Sequence, residues 1–349
     1  MLLPIFLAAL LVGPEKIYDK NAAVELASLM TPDAPFAVFI TADCGSLIST
    51  RNPQTEISPV CRDEVAFGPD GALSLTRVDK RLATVFASGD GSVLDPIIIP
   101  LSFESYFHVT HAKLSWTGTV FDLFFTQDLG TIWHVRFGSQ GQMIGEPEVL
   151  IPDQDLFMFV SALVQTTAGP LLFVHEFRLT GGLDPGAQYA YAVNEDSPES
   201  VGKLDANDLA VAVGGGSRLF AAWTSYKDES TQVSNIGDLD FNGNPINRQQ
   251  LEIDTGFFDR APSVGWDGAN FIIATANGQV AAVANGNETP HFFSVSDDAY
   301  DARMISGNGH AAIVYTATRR REKGTFYRLI YTPRDRPSLS MIDRRTHHR

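Results

Sequence analysis

The chain repeats a pattern along most of its length. A proline that opens a short extended segment recurs at intervals of 43 to 51 residues, at Pro53, Pro96, Pro147, Pro198, Pro245, Pro290 and Pro337. A period in this range indicates an array, in which one supersecondary unit is copied and each copy stacks on its neighbours. A chain of 349 residues has room for seven such units.

A second recurring feature lies between the prolines, where a turn is followed by a strongly apolar strand. The turns end at Gly71, Gly118, Gly169, Gly214–Gly216, Gly268 and Gly309. The strands after them read ALSLTRV, TVFDLFF, PLLFVHE, SRLFAAW, ANFIIAT and HAAIVY, and the first unit has PFAVFI. Another strand candidate precedes each turn, so the apolar strand is the second of its unit. A third strand follows it and ends in a Gly- or Asn-containing turn, after which the proline opens the fourth strand. Asn-Gly between extended runs is a strong hairpin signal.

Seven units of four antiparallel strands predict an all-β protein, a seven-bladed β-propeller of four-stranded blades. Middle strands such as ANFIIAT are continuously apolar, as expected for strands covered on both sides by neighbouring blades. A β-sandwich would show apolar and polar residues in alternation, and a β-helix would have a shorter repeat. Six blades, with an irregular N-terminal region, is the alternative.

The repeat also divides the chain. It places a single propeller domain at residues 16–342, between a signal-like apolar segment at 1–15 and a basic tail at 343–349. The first unit is predicted to begin with its innermost strand, near Ala23–Met30, and the last to end with its outermost strand, near Ser338–Ile342. The chain would then close its ring without exchanging a strand between its two ends.

Three segments resemble the repeats of β-propeller proteins that bacteria export: APSVGWDGANFIIAT (Ala261–Thr275), NIGDLDFNGNPI (Asn235–Ile246) and SGDGSVLDPIIIPLS (Ser88–Ser102). In that family the repeat runs roughly PSVxWDGxNF, DxNGxP and GxVLDP. The resemblance covers most of residues 63–342, and it implies propeller repeats rather than a reaction. A single segment, Thr126–Trp133, also resembles the Asp-box of sialidase-type propellers, which is a fold element in that family; here it is predicted to join the second and third strands of its unit.

Two features favour export. The apolar block LLPIFLAALLVG at residues 2–13 resembles the core of a secretory signal and is too short to span a bilayer; an ordinary first strand is the alternative. A hairpin centred on Asn52 and Pro53 would place Cys44 opposite Cys61, close enough for a disulfide; two unrelated buried thiols are the alternative. A disulfide indicates an oxidising compartment, so the protein is predicted to be secreted, periplasmic or on the cell surface.

The charge distribution bears on partners. A formal charge of −15 argues against nucleic acid, because phosphate binding needs a basic surface. No apolar run is long enough for a transmembrane helix. The chain is nevertheless basic from Asp298 onward, with a patch at Arg319, Arg320, Arg321 and Lys323. This patch could bind an acidic protein or glycan, or an acidic blade of a second copy; a solvated loop is the alternative.

One segment suggests a metal. Asp238, Asp240 and Asn242 match the opening of a calcium loop, D-x-[DN]-x-[DN]-G. The twelfth position is Gln249 rather than a carboxylate, and a strand that runs into an Asn-Gly hairpin explains the same residues. Calcium is the single candidate cofactor, and none is otherwise predicted.

Charged residues also occur within apolar second strands: Arg77, Asp122, His175 and Glu176. A buried unpaired charge is costly, so these residues should pair or line a wet cavity. They predict a polar cluster between blades, with ion pairs or positions at strand ends as the alternative.

The sequence contains no complete catalytic motif. HExxH, a nucleophile elbow and a phosphate-binding Gly-Lys loop are all missing. We therefore predict an exported, non-catalytic binding or scaffold protein that recognises a protein or carbohydrate through loops at one face of the ring. The alternative is a glycan hydrolase or lyase, because a propeller can gather acidic residues from several blades around its central channel.

Overall fold

The structure is a computed structural model. Before residue 64 it describes the backbone of six short strands, and from residue 64 to residue 331 it describes the chain with these gaps: 80, 89–91, 102–108, 155, 179–185, 194–197, 216–217, 227–231, 252–260, 308–309 and 320–321. The named elements in this part of the chain are all β-strands. None of the described residues forms a helix with the length and apolar character of a membrane span.

Two short strands come first, β1 (Leu11–Val12) and β2 (Lys16–Asp19). Sheet 1 follows, with β3 (Leu26–Leu29), β4 (Phe36–Ile40), β5 (Gly45–Ser49) and β6 (Glu56–Val60). Sheet 2 contains β7 (Val65–Phe67), β8 (Gly71–Val78), β9 (Arg81–Ser88) and β10 (Ile97–Ile98). Sheet 3 contains β11 (Val109–Trp116), β12 (Phe121–Gln127), β13 (Thr131–Phe137) and β14 (Met143–Ile151).

Sheet 4 contains β15 (Phe157–Thr166), β16 (Gly169–Phe177), β17 (Ala187–Val193) and β18 (Pro198–Leu204). Sheet 5 contains β19 (Asp208–Val213), β20 (Leu219–Tyr226), β21 (Gln232–Leu239) and β22 (Gln249–Gln250). Sheet 6 contains β23 (Ser263–Trp266), β24 (Phe271–Ala274), β25 (Gln279–Val283) and β26 (Phe293–Ser294). Sheet 7 contains β27 (Tyr300–Gly307), β28 (His310–Arg319) and β29 (Glu322–Tyr331).

Each of sheets 1 to 6 is a four-stranded antiparallel meander in chain order, which confirms the predicted all-β architecture of four-stranded units. The first strands of neighbouring sheets contact one another in series from β7 through β11, β15, β19 and β23 to β27. The series continues because β27 contacts β3, and β6 of sheet 1 contacts β8 of sheet 2. Sheet 1 therefore contacts both sheet 7 and sheet 2, so the series of sheet contacts is closed.

The core lies between the sheets, on both faces of the second strands. In β12, the six residues Phe121–Thr126 are all buried, and all four residues of β24 are buried. Between sheets 5 and 6, Phe220 stacks on Phe271 with ring centres 4.8 Å apart. Full burial of one such side chain contributes about 1.5–3 kcal/mol. Continuous apolar runs are thus the second strands, as the sequence predicts.

Two of the turn glycines that define the repeat, Gly118 and Gly268, occupy equivalent places. In sheet 3, Trp116 packs on Phe121 across the turn at 4.7 Å, and in sheet 6, Trp266 packs on Phe271 at 4.9 Å. The glycine between each pair, Gly118 or Gly268, has a positive φ of 102° or 96°. Glycine is favoured at such a φ because other residues are strained there. The two turns therefore share one geometry although their sequences, WTG and WDG, differ.

The closure of the circle differs from the prediction. The strand beside β29 in sheet 7 comes from the N-terminus: Lys16 lies opposite Tyr327 and Ile17 opposite Phe326, and β1 also pairs with β29. The segment Ser338–Ile342, which was expected in this position, lies outside the described residues. The prediction of closure without strand exchange is therefore wrong. A terminal strand satisfies the backbone groups of β29 that would otherwise form an open sheet edge.

Candidate functional site

The meander gives each sheet two distinct edges. Here an edge means a row of strand ends. At the upper edge the first and third strands begin and the second strand ends. The turns between strands one and two, and between strands three and four, lie at the lower edge. A cavity of about 300 Å³ opens at the upper edge of sheet 4. Its wall combines two cations, one carboxylate and three apolar or aromatic side chains: Arg178, Lys203, Glu176, Leu156, Phe177 and Tyr189. We call it the sheet 4 cavity.

The register of sheet 4 brings these residues together. Glu176 is the last but one residue of β16, and Arg178 directly follows the strand. Tyr189 of β17 lies opposite Lys203 of β18. Because alternate residues of a strand share one face, Tyr191 lies on the same side of β17 as Tyr189, and its hydroxyl donates a hydrogen bond to Glu176 Oε1 at 2.5 Å.

The two cations of the cavity have little structural role. Arg178 is exposed and makes no hydrogen bond or ion pair with any residue that the structure describes. Lys203 Nζ lies 5.7 Å from the centre of the Tyr189 ring, and 3.6 Å from Oδ1 of the exposed Asp205. Exposed pairs of this kind contribute little to stability. Both cations are therefore able to bind a ligand without loss of a buried contact.

Tyr191 is held in its neutral form. Burial raises the pKa of its hydroxyl far above the ordinary value of 10.0, and the hydrogen bond to the Glu176 carboxylate raises this pKa further. Both effects disfavour the phenolate, because burial penalises charge and the carboxylate repels a second negative group. Tyr191 is therefore a proton donor that fixes the position of Glu176.

An aromatic and histidine cluster lies at the same edge. Phe157 and Phe177 stack across β15 and β16 at 5.2 Å, and the next cross-strand pair, Phe159 and His175, meets edge to face at 4.8 Å. The exposed ring of His111, from the first strand of sheet 3, stacks on Phe159 at 4.4 Å. Phe177 belongs to both this cluster and the sheet 4 cavity. The cluster thus adjoins the cavity through Phe177.

The Asp-box-like segment Thr126–Trp133 flanks this site. It joins β12 to β13, which are the second and third strands of sheet 3, as predicted. Asp128 and Leu129 have positive φ values of 50° and 62°, a conformation that is rare for residues other than glycine. The carbonyl of Leu129 accepts a hydrogen bond from the backbone N–H of Met158 at 2.5 Å. This turn therefore fixes the start of β15, from which Phe157 and Phe159 project.

The predicted polar cluster is not assembled as one group. His175 and Glu176 are adjacent on β16 and have different environments, since His175 lies in the aromatic cluster and Glu176 lines the cavity. Asp122 is the second residue of β12, at the lower end of its strand, so the structure does not bring it to them. Arg77 lies on β8, and its side chain is outside the described part of the molecule.

Asp122 instead belongs to a row of side chains across sheet 3. Oδ1 of Asp122 lies 2.9 Å from His134 Nε2, and Oε1 of Glu148 lies 3.0 Å from His134 Nδ1. The His134 ring also stacks on Phe124 at 4.5 Å. Asp122 and His134 are buried, whereas the side chain of Glu148 is 58% exposed. Asp122, the charged group that the sequence placed inside this blade, is thus satisfied within one sheet.

The residues of the predicted calcium loop form a hydrogen-bonded turn. Oδ1 of Asp240 accepts the backbone N–H groups of Asn242 at 2.9 Å and Asn244 at 2.8 Å. The oxygens of Asp238 accept hydrogen bonds from three groups: the guanidinium of Arg218 (3.0 Å), the amide of Asn247 (2.9 Å) and the backbone N–H of Gly286 (2.8 Å). Within the described ranges, no group of three or more His, Cys, Asp or Glu side chains is arranged to hold a metal. Calcium binding at this turn stays a prediction.

The cysteine hairpin and the basic patch are described in part. Strands β5 and β6 pair with Gly45 opposite Val60, whereas Cys44 and Cys61 lie outside the described residues, so the disulfide stays a prediction. In the basic patch, Arg319 lies opposite Glu322, and Lys323 follows in β29, at the upper edge of sheet 7. Arg320 and Arg321 also lie outside the described residues.

Among the residues of the sheet 4 cavity named above, sequence patterns singled out Glu176 alone, as a charge within an apolar strand. Arg178, Tyr189 and Lys203 belong to no motif, and they lie in three different segments of the repeat. The alternation of Tyr189 and Tyr191 in the strand AQYAYAV is the one local sign of a polar face. The cavity is recognisable only when the register of sheet 4 is known.

Comparison with known proteins assigns a class of fold. No protein-family model matches the chain, and no curated protein sequence does. The structure is similar to that of YCF48 bound to D1 peptide, with 12% identity over 92% of this chain and 96% of that chain and a TM-score of 0.54. It is similar to Sqt1 from Saccharomyces cerevisiae, with 12% identity over 90% and 97% of the two chains and a TM-score of 0.50. It is also similar to the polysaccharide lyase Uly1, with 9% identity over 89% and 90% of the two chains and a TM-score of 0.56.

YCF48 and Sqt1 are β-propellers. At identities of 9–12%, these likenesses concern the fold alone. Together with the circular order of four-stranded sheets, they show that this chain has a β-propeller-like fold.

Proposed function

We propose that this protein is a binding propeller that takes its ligand at the upper edge of sheet 4. The observation that carries the proposal is the sheet 4 cavity, where Arg178 and Lys203 face an opening and no buried partner engages them. Small-ligand sites combine an apolar or aromatic wall with a few placed polar groups. Phe177, Leu156 and Tyr189 supply such a wall next to the polar groups.

Two of the similar structures illustrate the classes of partner that this fold accommodates. YCF48 is bound to a D1 peptide, and Uly1 is a polysaccharide lyase. For this chain we propose a protein or carbohydrate ligand, with recognition at the upper edge. Lys323 and Arg319 of the basic patch lie at the upper edge of sheet 7, which supports an acidic partner and is also compatible with docking of an acidic blade from a second copy.

The alternative of a glycan hydrolase or lyase needs a group that accepts a proton. In the sheet 4 cavity the carboxylate of Glu176 is bonded to Tyr191, and the raised pKa of Tyr191 keeps its proton in place. This environment suits holding a ligand better than proton abstraction. Turnover of a glycan by the purified protein, abolished in Glu176→Gln, would favour the enzyme over the binding protein.

The binding proposal is tested with matched arginine variants. Arg178→Ala removes a cation from the cavity, whereas Arg136→Ala removes an exposed arginine near the lower edge of sheet 3. Both proteins, and the wild type, are screened by thermal shift against a mixed set of short peptides and oligosaccharides. We expect to find ligands that raise the melting temperature of the wild type and of Arg136→Ala. The same ligands should leave the melting temperature of Arg178→Ala unchanged. Ligands that act equally on all three would contradict the proposed site.

We further propose that the propeller has seven blades and belongs with the exported bacterial repeat proteins that its turns resemble. The closed series of sheet contacts supports the blade count. An experimental structure with six sheets around the axis would contradict it.

We also propose that the protein is exported and carries a Cys44–Cys61 disulfide. Support comes from the pairing of β5 with β6, which ends at Gly45 and Val60, the residues next to the two cysteines. A disulfide closing such a hairpin contributes about 3 kcal/mol in the chain-entropy model. Reduction should lower the melting temperature by several degrees, and a Cys44→Ala, Cys61→Ala variant should melt at the reduced value in either buffer. An unchanged melting temperature, or free thiols in protein from an oxidising compartment, would argue against the disulfide.

A further inference from the structure

We infer that the ligand group bound in the sheet 4 cavity is an acidic sugar unit, a ring that carries one carboxylate beside its hydroxyl groups. This inference rests on the proposed function and names the class of ligand. Its basis is the combination of cations, a carboxylate acceptor and aromatic surface in a cavity of about 300 Å³.

The two cations of the cavity favour a ligand that carries an anionic group. Arg178 presents several N–H donors in one plane, which match the two oxygens of a carboxylate. Lys203, which also lines the cavity, lies over the Tyr189 ring at 5.7 Å and has one exposed partner in Asp205. A ligand carboxylate would thus gain two charge-assisted contacts without displacing a buried ion pair.

The carboxylate of Glu176 calls for donors on the same ligand. Its Oε1 accepts a hydrogen bond from the Tyr191 hydroxyl, and its Oε2 accepts no hydrogen bond from the described residues. An ionised carboxylate is an acceptor only, so Oε2 is completed by a hydroxyl or N–H of the ligand. A bare inorganic anion offers no such donor, and an acidic peptide offers only its backbone N–H groups, because its side-chain carboxylates are acceptors. Sugar hydroxyls next to a ring carboxylate satisfy both requirements.

The wall and size of the cavity fit one ring. Phe177, Leu156 and Tyr189 supply the apolar surface on which the C–H face of a sugar can pack. The volume is at the lower end of the range for small-ligand sites, which suits a single unit rather than a long segment. The formal charge of −15 opposes long polyanions at a distance, whereas direct contacts with Arg178 and Lys203 act at short range.

Titration calorimetry with defined trisaccharides tests this inference. The probes are trigalacturonate and triglucuronate, the uncharged trigalactose, and a tetra-aspartate peptide as the acidic peptide. We expect both uronates to bind the wild type, with at least tenfold weaker binding of trigalactose and of the peptide. Arg178→Ala should weaken uronate binding by about tenfold or more, while Arg136→Ala should leave it unchanged. Both arginines are exposed, so both variants should have the same melting temperature as the wild type.

A second variant separates a sugar from a simple anion. Glu176→Gln removes a negative charge, so it should strengthen binding of a ligand that uses only its anionic group. For an acidic sugar, whose hydroxyl groups donate to Glu176, the same change should weaken binding by about two- to tenfold. Stronger uronate binding in Glu176→Gln would overturn the inference, as would equal binding of trigalactose.

The outcomes distinguish this inference from the proposed function. One outcome is that the uronates do not bind, whereas the tetra-aspartate peptide or trigalactose binds the wild type and not Arg178→Ala. The acidic-sugar inference is then wrong, and the proposed binding site is retained. If uronates bind equally to wild type and Arg178→Ala, the ligand lies elsewhere and both are wrong. If neither uronate binds the wild type, the inference is overturned.

Discussion

At Gly243 the chain turns with a φ of +80°, and the turn lies directly against the preceding sheet. A Cβ at this position would come 2.7 Å from Cβ of Ala190 and 2.9 Å from the ring of Phe173, both in sheet 4. Gly141 makes the equivalent contact in sheet 3, against Phe86 of sheet 2, with a φ of +81°. Glycine is thus required in these lower turns both for the backbone and for packing between sheets.

Gly243→Ala is therefore expected to destabilise the protein more than a glycine replacement at an open site. Gly145→Ala is the matched control, because Gly145 has a similar φ of +74° and a methyl group added there would meet no atom of the described residues within 4 Å. The control should lose about 1–2 kcal/mol from backbone strain alone. Gly243→Ala should lose about 1–3 kcal/mol more from overpacking. Urea unfolding measures both, and equal losses would show that the contact with Phe173 is unimportant.

Tyr191 makes the stability depend on alkaline pH. Burial and the contact with Glu176 raise the pKa of this tyrosine in the folded protein, whereas in the unfolded chain it is near 10. Its contribution is therefore fully present below pH 10, and it is lost as the pH rises through the interval between the unfolded and folded pKa values. Tyr191→Phe cannot ionise and should lose less stability than the wild type between pH 9 and pH 11. Urea unfolding at each pH measures the stability of both proteins. An equal loss of stability in both would contradict this role.

At the scale of the element, sheet 3 shows how a charged row is accommodated in a buried strand. Asp122, His134 and Glu148 lie on the second, third and fourth strands, and each carboxylate meets one nitrogen of the imidazole. The ring itself packs flat on Phe124, with an angle of 5° between the planes. One end of the row is buried and the other is exposed.

The two ends of this row should differ in energy. Asp122→Ala leaves a buried imidazole nitrogen without its charged acceptor, and we expect a loss of about 1.5–3 kcal/mol. Glu148→Ala removes an exposed contact, and we expect a loss below about 1 kcal/mol. Guanidinium unfolding of both variants gives the comparison. A larger loss for Glu148→Ala would mean that burial does not decide the strength of these contacts.

Sequence patterns predict elements of this kind well and their side-chain contacts poorly. The strand ANFIIAT was predicted from its apolar run, and β24, Phe271–Ala274, lies within it. Asp122 was recognised as a charge within a strand, and its partner His134 was not identified. A strand and its turn are set by neighbours in sequence, whereas a cross-strand contact depends on register. Asp122 lies opposite Arg136 and reaches His134 diagonally.

At the scale of the whole molecule, the closure of the circle depends on the N-terminal strands. β2 pairs with β29, so sheet 7 contains residues from both ends of the described chain. β1, within the apolar segment that resembles a secretory signal, also pairs with β29, through Leu11 and Val12. Truncation at two different points can therefore separate the contribution of β2 to stability from that of the apolar segment.

A chain that begins at Pro14 keeps β2 and lacks β1, and we expect it to melt within a few degrees of the full chain. A chain that begins at Ala22 lacks both strands and leaves one edge of β29 unpaired, so we expect a clearly lower melting temperature and a tendency to associate through that edge. Circular dichroism and size-exclusion chromatography measure these properties. If the two truncated chains behave alike, β2 does not close the circle.

Neighbouring residues in the chain specify the local order of the molecule: four strands to a unit, the apolar second strands, and the turns at Gly118 and Gly268. These follow from runs of neighbouring residues, since burial on both faces requires a continuous apolar strand and a positive φ favours glycine. The tertiary structure alone decided the pairing of β2 with β29 and the meeting of Arg178, Tyr189 and Lys203 around one cavity. These contacts join residues that are distant in the chain, and only the register of the strands and the circular order of the sheets bring them within reach of one another.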